Sequence, residues 1–500
     1  MAGGMKALAK ETAIYGVSSI VGKFLNWLLT PLWSYVLVSQ AHMGVISNLY
    51  GWTALIIVIL TYGMETGLFR FANKKGENPQ MVYSTTLISI AATTLIFLIL
   101  SMVFLQPLTS ITGSPDIKPR YVLLMIIILS MDAFSAIPFA YLRFSKRPMR
   151  FATLKILFVA LNISFNLFFF LLCPWLSELY PDYFAWFTLE NGVDYVLISN
   201  LLATFIQTLF LLPQLRIKYT FDGALLKRML IYCMPLLVLG IAGILNQSMD
   251  KIVFPWLYPD SSQAMTELGI YTAAFKIAVI MVMFTQAFRY AFEPFIFAKN
   301  KELGAGNDKV AYAQATKYFI ILGLLIFLLV MGYIDIVKYL IKSTYHEGLK
   351  VLPIVMMGEL FFGIYFNLSL WYKLTDQTKW GAYLSLIGLA VTIAINVIFI
   401  PKYSYMACAW ASFFANLVMM VTSYFLGQKN YPINYNLRSA GFFMAITLVL
   451  FSGIIFSNNF MENSWLRLLL NTIFIAVYAL IVIKKELPLR EMPVIGKYFR

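Results

Sequence analysis

Runs of about 20 apolar residues, each able to cross a hydrocarbon layer of roughly 30 Å as a helix rising about 1.5 Å per residue, recur along almost the whole chain. They begin near Thr12, Gly44, Tyr83, Pro119, Phe151, Gly192 and Met229, and again near Leu268, Thr316, Leu349, Thr378, Tyr405, Arg438 and Ser464. In hydrocarbon no water pairs with the backbone, so each run must satisfy its own N–H and C=O groups. The expected fold is therefore all-α: a polytopic membrane protein of about fourteen transmembrane helices. The connections are short. The longest outer one runs from about Pro174 to Asn191, which leaves no room for a soluble domain.

Composition agrees, with 60% of residues hydrophobic and 12% charged, against about 25% charged in an ordinary soluble domain. The net charge of +15 is spread in short clusters between apolar runs. It forms no continuous basic face and no nucleic-acid motif, so no nucleic-acid partner is expected. The clusters instead orient the chain. With the N-terminus inside, inner segments carry 27 Lys and Arg residues, including Lys6, Lys10, Arg143, Lys155 and Lys485, and outer segments carry 7. That bias predicts cytoplasmic N- and C-termini. The N-terminal stretch lacks a small-residue cleavage site and reads as a retained first helix. Cys173, Cys233 and Cys408 lack metal-ligand spacing, and His42 and His346 are far apart, so neither a metal nor a cofactor is expected.

The halves resemble each other at a shift of about 225 residues. Gly16 and Pro31 in the first helix stand as far apart as Gly240 and Pro255 in the seventh. Met43-Gly44-Val45 aligns with Leu268-Gly269-Ile270, and Asp132 in the fourth helix with Glu359 in the tenth. The stretch Asn162 to Phe169 lies over Thr392 to Phe399, which aligns Asn166 with Asn396. Six spans per half preserve orientation, as in transporters built from parallel repeats. The expected domains are an N-lobe over 1–222, a C-lobe over 223–430, and a helix pair with a cytoplasmic tail over 431–500. Two lobes that rock about a central cavity suggest transport. Gly16, Pro31, Gly240 and Pro255 either mark that cavity as gating kinks or serve packing alone.

Four basic residues fall within the spans: Lys23, Lys251, Lys276 and Arg289. Ionisable groups at membrane depth cost on the order of 3 kcal/mol and usually face protein or water. Lys23 and Lys276 have no acidic residue one turn away in their own helices. Asp250 and Lys251 are adjacent and point in different directions, so a pair between them is not expected. Arg289 and Glu293 either line a cavity or form an internal ion pair. Cations converging from the first, seventh and eighth helices would hold a phosphate or diphosphate through charge-assisted hydrogen bonds. Asp132, Asp250, Glu293 and Glu359 are candidates for coupling an ion or proton.

Ala13-Ile14-Tyr15-Gly16 with Pro31, the stretch Leu268 to Lys276, and Phe288-Arg289-Tyr290-Ala291-Phe292-Glu293-Pro294 carry a family likeness. The chain resembles bacterial polysaccharide flippases of the Wzx type, within the multidrug/oligosaccharidyl-lipid/polysaccharide exporter (MOP) superfamily. That resemblance implies a non-enzymatic flippase for O-antigen and other lipopolysaccharide-type surface polysaccharide biosynthesis. Its cargo would be undecaprenyl-diphosphate-linked oligosaccharide, moved by alternating access from the inner to the outer leaflet of the bacterial cytoplasmic (inner) membrane. Lys23, Lys251, Lys276 and Arg289 would form the cationic cavity, and polymerase and glycosyltransferase machinery would be partners. A drug or cation exporter of the same superfamily is the nearest alternative and would favour carboxylates in its cavity. A membrane-embedded polysaccharide polymerase or glycosyltransferase would want a larger outer domain than Pro174 to Asn191 provides.

Overall fold

A computed structural model describes residues 21–303, 309–375, 377 and 379–486, and every regular element among them is helical. The first helix, α1, occupies 21–27 and Leu29–Val36. Thirteen further helices are each long and apolar enough to cross a membrane. They are α2 (Gln40–Ala72), α3 (Pro79–Val103), α4 (Pro119–Phe144), α5 (Pro148–Leu179), α6 (Leu189–Leu215) and α7 (Gly223–Leu257). The second half begins with α8 (Ala264–Leu303). It continues with α9 (Lys309–Gly332), α10 (Ser343–Leu374), α11 (Lys379–Tyr403), α12 (Tyr405–Asn430), α13 (Leu437–Phe460) and α14 (Ser464–Glu486). Their surface suits hydrocarbon: Val103, Ile231 and Val449 are 70%, 66% and 71% exposed.

Local chemistry sets the boundaries and the breaks. Proline opens α3, α4 and α5 within their first turns, where its missing N–H costs nothing. The Asp222 carboxylate caps α7 by accepting from the N–H groups of Ala224 and Leu225. In α1 a turn at Leu28 interrupts the helix three residues before Pro31. In α2 the chain passes through left-handed backbone at Tyr62 and Gly63, with φ of 31° and 71°. A Cβ at Gly63 would stand 3.3 Å from the Cys233 carbonyl oxygen, so glycine permits both the backbone and the close approach to α7. A π segment, Phe168–Leu172, interrupts α5.

The chain forms two compact units. One comprises the described residues to Lys276 together with Ser385–Ala415; the other comprises Ile277–Leu384 and the described residues from Asn416 onward. In the first, α6 packs on α4 and α5, α4 packs on α3 and α2, and α2 packs on α7. The Tyr83 and Tyr141 rings stack there at 4.0 Å. In the second, α9 packs on α10, α13 and α14. Buried polar groups fix the last helix: Tyr478 Oη donates to the Ile321 carbonyl at 3.0 Å, and Asn471 Nδ2 to the Gly332 carbonyl at 2.9 Å. One loop assignment is corrected. Lys155 lies inside α5, with its amino group 4.0 Å from the centroid of the Phe139 ring of α4.

Candidate functional site

The stretches aligned by the internal repeat meet one another. A Cβ at Gly44 would lie 1.9 Å from the Met265 carbonyl oxygen, and one at Gly269 would lie 2.0 Å from the Gln40 carbonyl oxygen. Each clash is with the residue four positions before the facing glycine, so α2 and α8 cross about a local two-fold relation. Three residues on in each helix, Ser47 Oγ donates to Thr272 Oγ1 at 2.9 Å. Glycines at a crossing let backbones approach within van der Waals reach, which is how helices associate where lipid supplies no hydrophobic drive.

Further along α2, Gly51 admits the Cβ of Lys251 and the side chain of Ile252, each 3.3 Å from where its own Cβ would be. Asn48 Nδ2 donates to the Lys251 carbonyl at 2.7 Å. That carbonyl is orphaned because its partner four residues on is Pro255, which has no N–H. Pro255 thus lies in an unbroken helix, and a side chain from α2 satisfies the group it frees.

The four predicted cations fall in different settings. The Lys251 ammonium lies 3.2 Å from the Asp250 carboxylate, half-buried, and 4.9 Å from the centroid of the Phe275 ring. The expectation that these neighbours would not pair is therefore corrected: the flexible lysine stem folds back over one residue. Asp250 is buried and also accepts from Tyr271 Oη at 2.9 Å and from the Lys251 N–H at 2.9 Å. Lys276 is half-buried and within electrostatic range of Lys251. Its carbonyl accepts from Trp27 Nε1 of α1 at 2.6 Å. Lys23 is exposed on α1, one turn before Trp27. Arg289 belongs to the other unit, where its guanidinium lies 5.0 Å from the centroid of the Phe366 ring. It lines a small cleft with Thr285, Gly363 and Asn367.

The remaining predicted residues are dispersed. Asp132 is half-buried in α4 within electrostatic range of Lys155 and of Tyr50, whose hydroxyl accepts from Asn200 Nδ2 at 3.0 Å. Glu359 is half-buried in α10. Gly240 lies in continuous helix, where a Cβ would stand 2.9 Å from a Val58 methyl, so the position accommodates close packing. Gly16 and the side chain of Glu293 lie outside the described residues.

Two polar ladders had only a partial sequence signal. Trp33 Nε1 donates to Asn166 Oδ1 at 2.7 Å, Asn166 Nδ2 to the Asn162 carbonyl at 2.8 Å, and Asn162 Nδ2 to Asn26 Oδ1 at 3.1 Å, tying α1 to α5. In the second half Thr392 Oγ1 donates to Asn246 Oδ1 at 2.8 Å, tying α7 to α11. One turn beyond that bond each helix carries a further polar residue, Asp250 and Asn396. Asn396 is fully buried, and neither amide atom has a hydrogen-bond partner among the described residues. The repeat that aligned Asn166 with Asn396 was the signal. Lys155 gave none, because it stands near a basic loop.

The family described as polysaccharide biosynthesis protein matches residues 8–297, and the MatE family matches residues 261–398. No curated protein matches the chain by sequence. Among solved structures, the lipid II flippase MurJ in an inward closed conformation is 15% identical with a TM-score of 0.72, over 94% of this chain and 98% of that one. An inward-facing multidrug resistance MATE family transporter of the MOP superfamily is 14% identical with a TM-score of 0.65, over 81% and 93%. The MATE multidrug transporter DinF-BH is 16% identical with a TM-score of 0.61, over 85% and 95%. With a match over more than half its length, the chain belongs to the polysaccharide biosynthesis protein family, on the fold of MOP-superfamily transporters.

Proposed function

We propose that the protein flips an undecaprenyl-diphosphate-linked oligosaccharide from the inner to the outer leaflet of a bacterial cytoplasmic membrane, for surface polysaccharide biosynthesis. The observation that carries this reading is that Lys251 and Lys276 lie in the long apolar helices α7 and α8 within range of each other, with α1 bonded to the backbone of Lys276. Two half-buried ammonium groups that repel one another are stabilised by a dianion, and a diphosphate supplies one at the charge density lysines favour. Asp250 holds Lys251 until the anion arrives, through contacts of 3.2 and 3.5 Å to its two carboxylate oxygens, with the Gln247 carbonyl accepting at 3.3 Å. Lys23 extends the cationic lining in this reading and Arg289, in the other unit, is a separate candidate for the substrate anion, with Asp132, Asp250, Glu293 and Glu359 as groups that couple an ion or proton. The lobes are 1–222 and 223–430, both termini are cytoplasmic, and polymerase and glycosyltransferase machinery receives the product.

Family membership and the local two-fold crossing of α2 and α8 support two lobes that exchange access. The test is leaflet translocation in proteoliposomes with a lipid-diphosphate-linked glycan. Transport of that glycan, lost in Lys251→Ala/Lys276→Ala while the protein still inserts, supports the reading. Movement of a cationic dye with no movement of the glycan would overturn it in favour of a cation exporter.

A further inference from the structure

We infer that the second unit carries a binding site for an anionic glycerophospholipid, between the start of α9 and the loop that enters α13. Two adjoining hollows form it. The first, of about 310 Å³, is lined by Lys309, Gln314, Lys317, Asn434 and Asn436 together with Val310, Ala313 and Pro432. The second, of about 420 Å³, shares Ala313, Lys317 and Asn436 with it and continues as an apolar groove between α9, α10, α12 and α13. Ile320, Phe361, Met420 and Met444 line that groove. A headgroup-sized mouth that carries lysine and amide groups and leads into an apolar trough is the profile of one lipid molecule, phosphate at the helix ends and acyl chain along them.

The mouth is built before any ligand arrives. Lys309 is held over the Tyr431 ring, with its amino group 4.4 Å from the ring centroid. The loop beneath it is braced by Gln428 Nε2 donating to the Ile433 carbonyl at 2.7 Å and by the Leu437 N–H donating to the Tyr435 carbonyl at 2.9 Å. Asn436 Oδ1 caps α13 by accepting from the Ser439 N–H at 3.0 Å. Asn436 lines both hollows. Lys317 is matched by Glu486 at 2.5 Å, which leaves Lys309 as the charge that selects the headgroup. No carboxylate lines the mouth among the described residues. The groove opens outward, since Val421 and Phe425 on its wall are exposed.

A basic pocket between membrane helices on the cytoplasmic side recognises anionic headgroups, and the cytoplasmic leaflet supplies them. The choice of leaflet rests on the proposed orientation; the chemistry of the site does not rest on the cargo. A lipid seated here would join α9, α10 and α12 to α13.

The test is native mass spectrometry of the full chain, with phosphatidylglycerol and phosphatidylethanolamine of equal chain length added in equimolar amounts. Retention should favour phosphatidylglycerol by about fivefold, which is what one lysine near an anionic surface supplies. Lys309→Glu should abolish that preference, and Met420→Trp, which fills the groove, should lower retention of both lipids. Lys429→Glu, outside the mouth, should change neither. Equal retention of the two lipids by the wild-type chain would overturn the proposal, as would an unchanged preference in Lys309→Glu. Displacement of the phospholipid by equimolar undecaprenyl phosphate would reassign the groove to the cargo and equally overturn it. None of these outcomes depends on translocation activity, so failure here is distinct from failure of the flippase reading.

Discussion

Replacing Gly44 or Gly269 with alanine probes the crossing of α2 and α8 directly. A methyl at Gly44 would sit 1.9 Å from the Met265 carbonyl oxygen. An ordinary C···O contact is about 3.3 Å, so the helices must part by about 1.4 Å. Overpacking of this kind costs about 1–3 kcal/mol, which shifts the balance against the tight crossing by roughly fivefold to 150-fold. The two substitutions share one interface. Once either has parted the helices the other methyl has room, so their effects should be strongly sub-additive.

The assay uses Ser47→Cys with Thr272→Cys, whose wild-type hydroxyl oxygens are 2.9 Å apart. The three native cysteines are buried and give little background. In membranes this pair should oxidise rapidly to a disulfide. Gly44→Ala should slow the reaction at least about fivefold, and adding Gly269→Ala should change little more. On the proposed function, the disulfide should also stop translocation and a reductant should restore it. Unchanged oxidation in Gly44→Ala, or a double variant whose effects simply add, would refute the shared close crossing.

Other outcomes follow from the same geometry. Asn48→Ala should cost about 1–3 kcal/mol by leaving the Lys251 carbonyl without a donor. The loss should shrink in a Pro255→Ala background, which restores an N–H within α7, and a double-mutant cycle of thermal unfolding in detergent checks it. Asn396→Leu should stabilise the fold by about 1–3 kcal/mol, because it removes a buried amide with no partner among the described residues. A simultaneous fall in translocation would mark Asn396 as functional, and a loss of stability would show that the amide is satisfied. Lys251→Ala and Lys276→Ala should each reduce glycan translocation at least about tenfold, as expected for losing a charge-assisted contact of about 1.5–3 kcal/mol. Equal rates in wild type and both variants would remove these lysines from the site. Asp250→Asn should retain the Tyr271 hydrogen bond while releasing Lys251, so it should impair stability less than Asp250→Leu in the same unfolding assay.

The apolar runs alone located the thirteen long apolar helices found among the described residues and roughly where each begins, because a backbone in hydrocarbon has little choice but to bond to itself. The expected starts at Pro119, Tyr405 and Ser464 are the first residues of α4, α12 and α14, and Gly44 lies four residues into α2. The repeat was legible as well, and its Gly44 and Gly269 proved to face each other. Family membership was within reach of the same motifs. Other features depended on neighbours far away in sequence. Only the folded chain could bring Asn48 to the carbonyl freed by Pro255, 203 residues from its own position, or turn Lys251 back onto Asp250. Lys155 read as a loop charge because composition sees local density, whereas its surroundings are set by α4. Periodicity and apolar length are properties of one segment, so the sequence carries them directly. Which polar groups meet inside the membrane depends on how segments pack, and only the tertiary structure decided that.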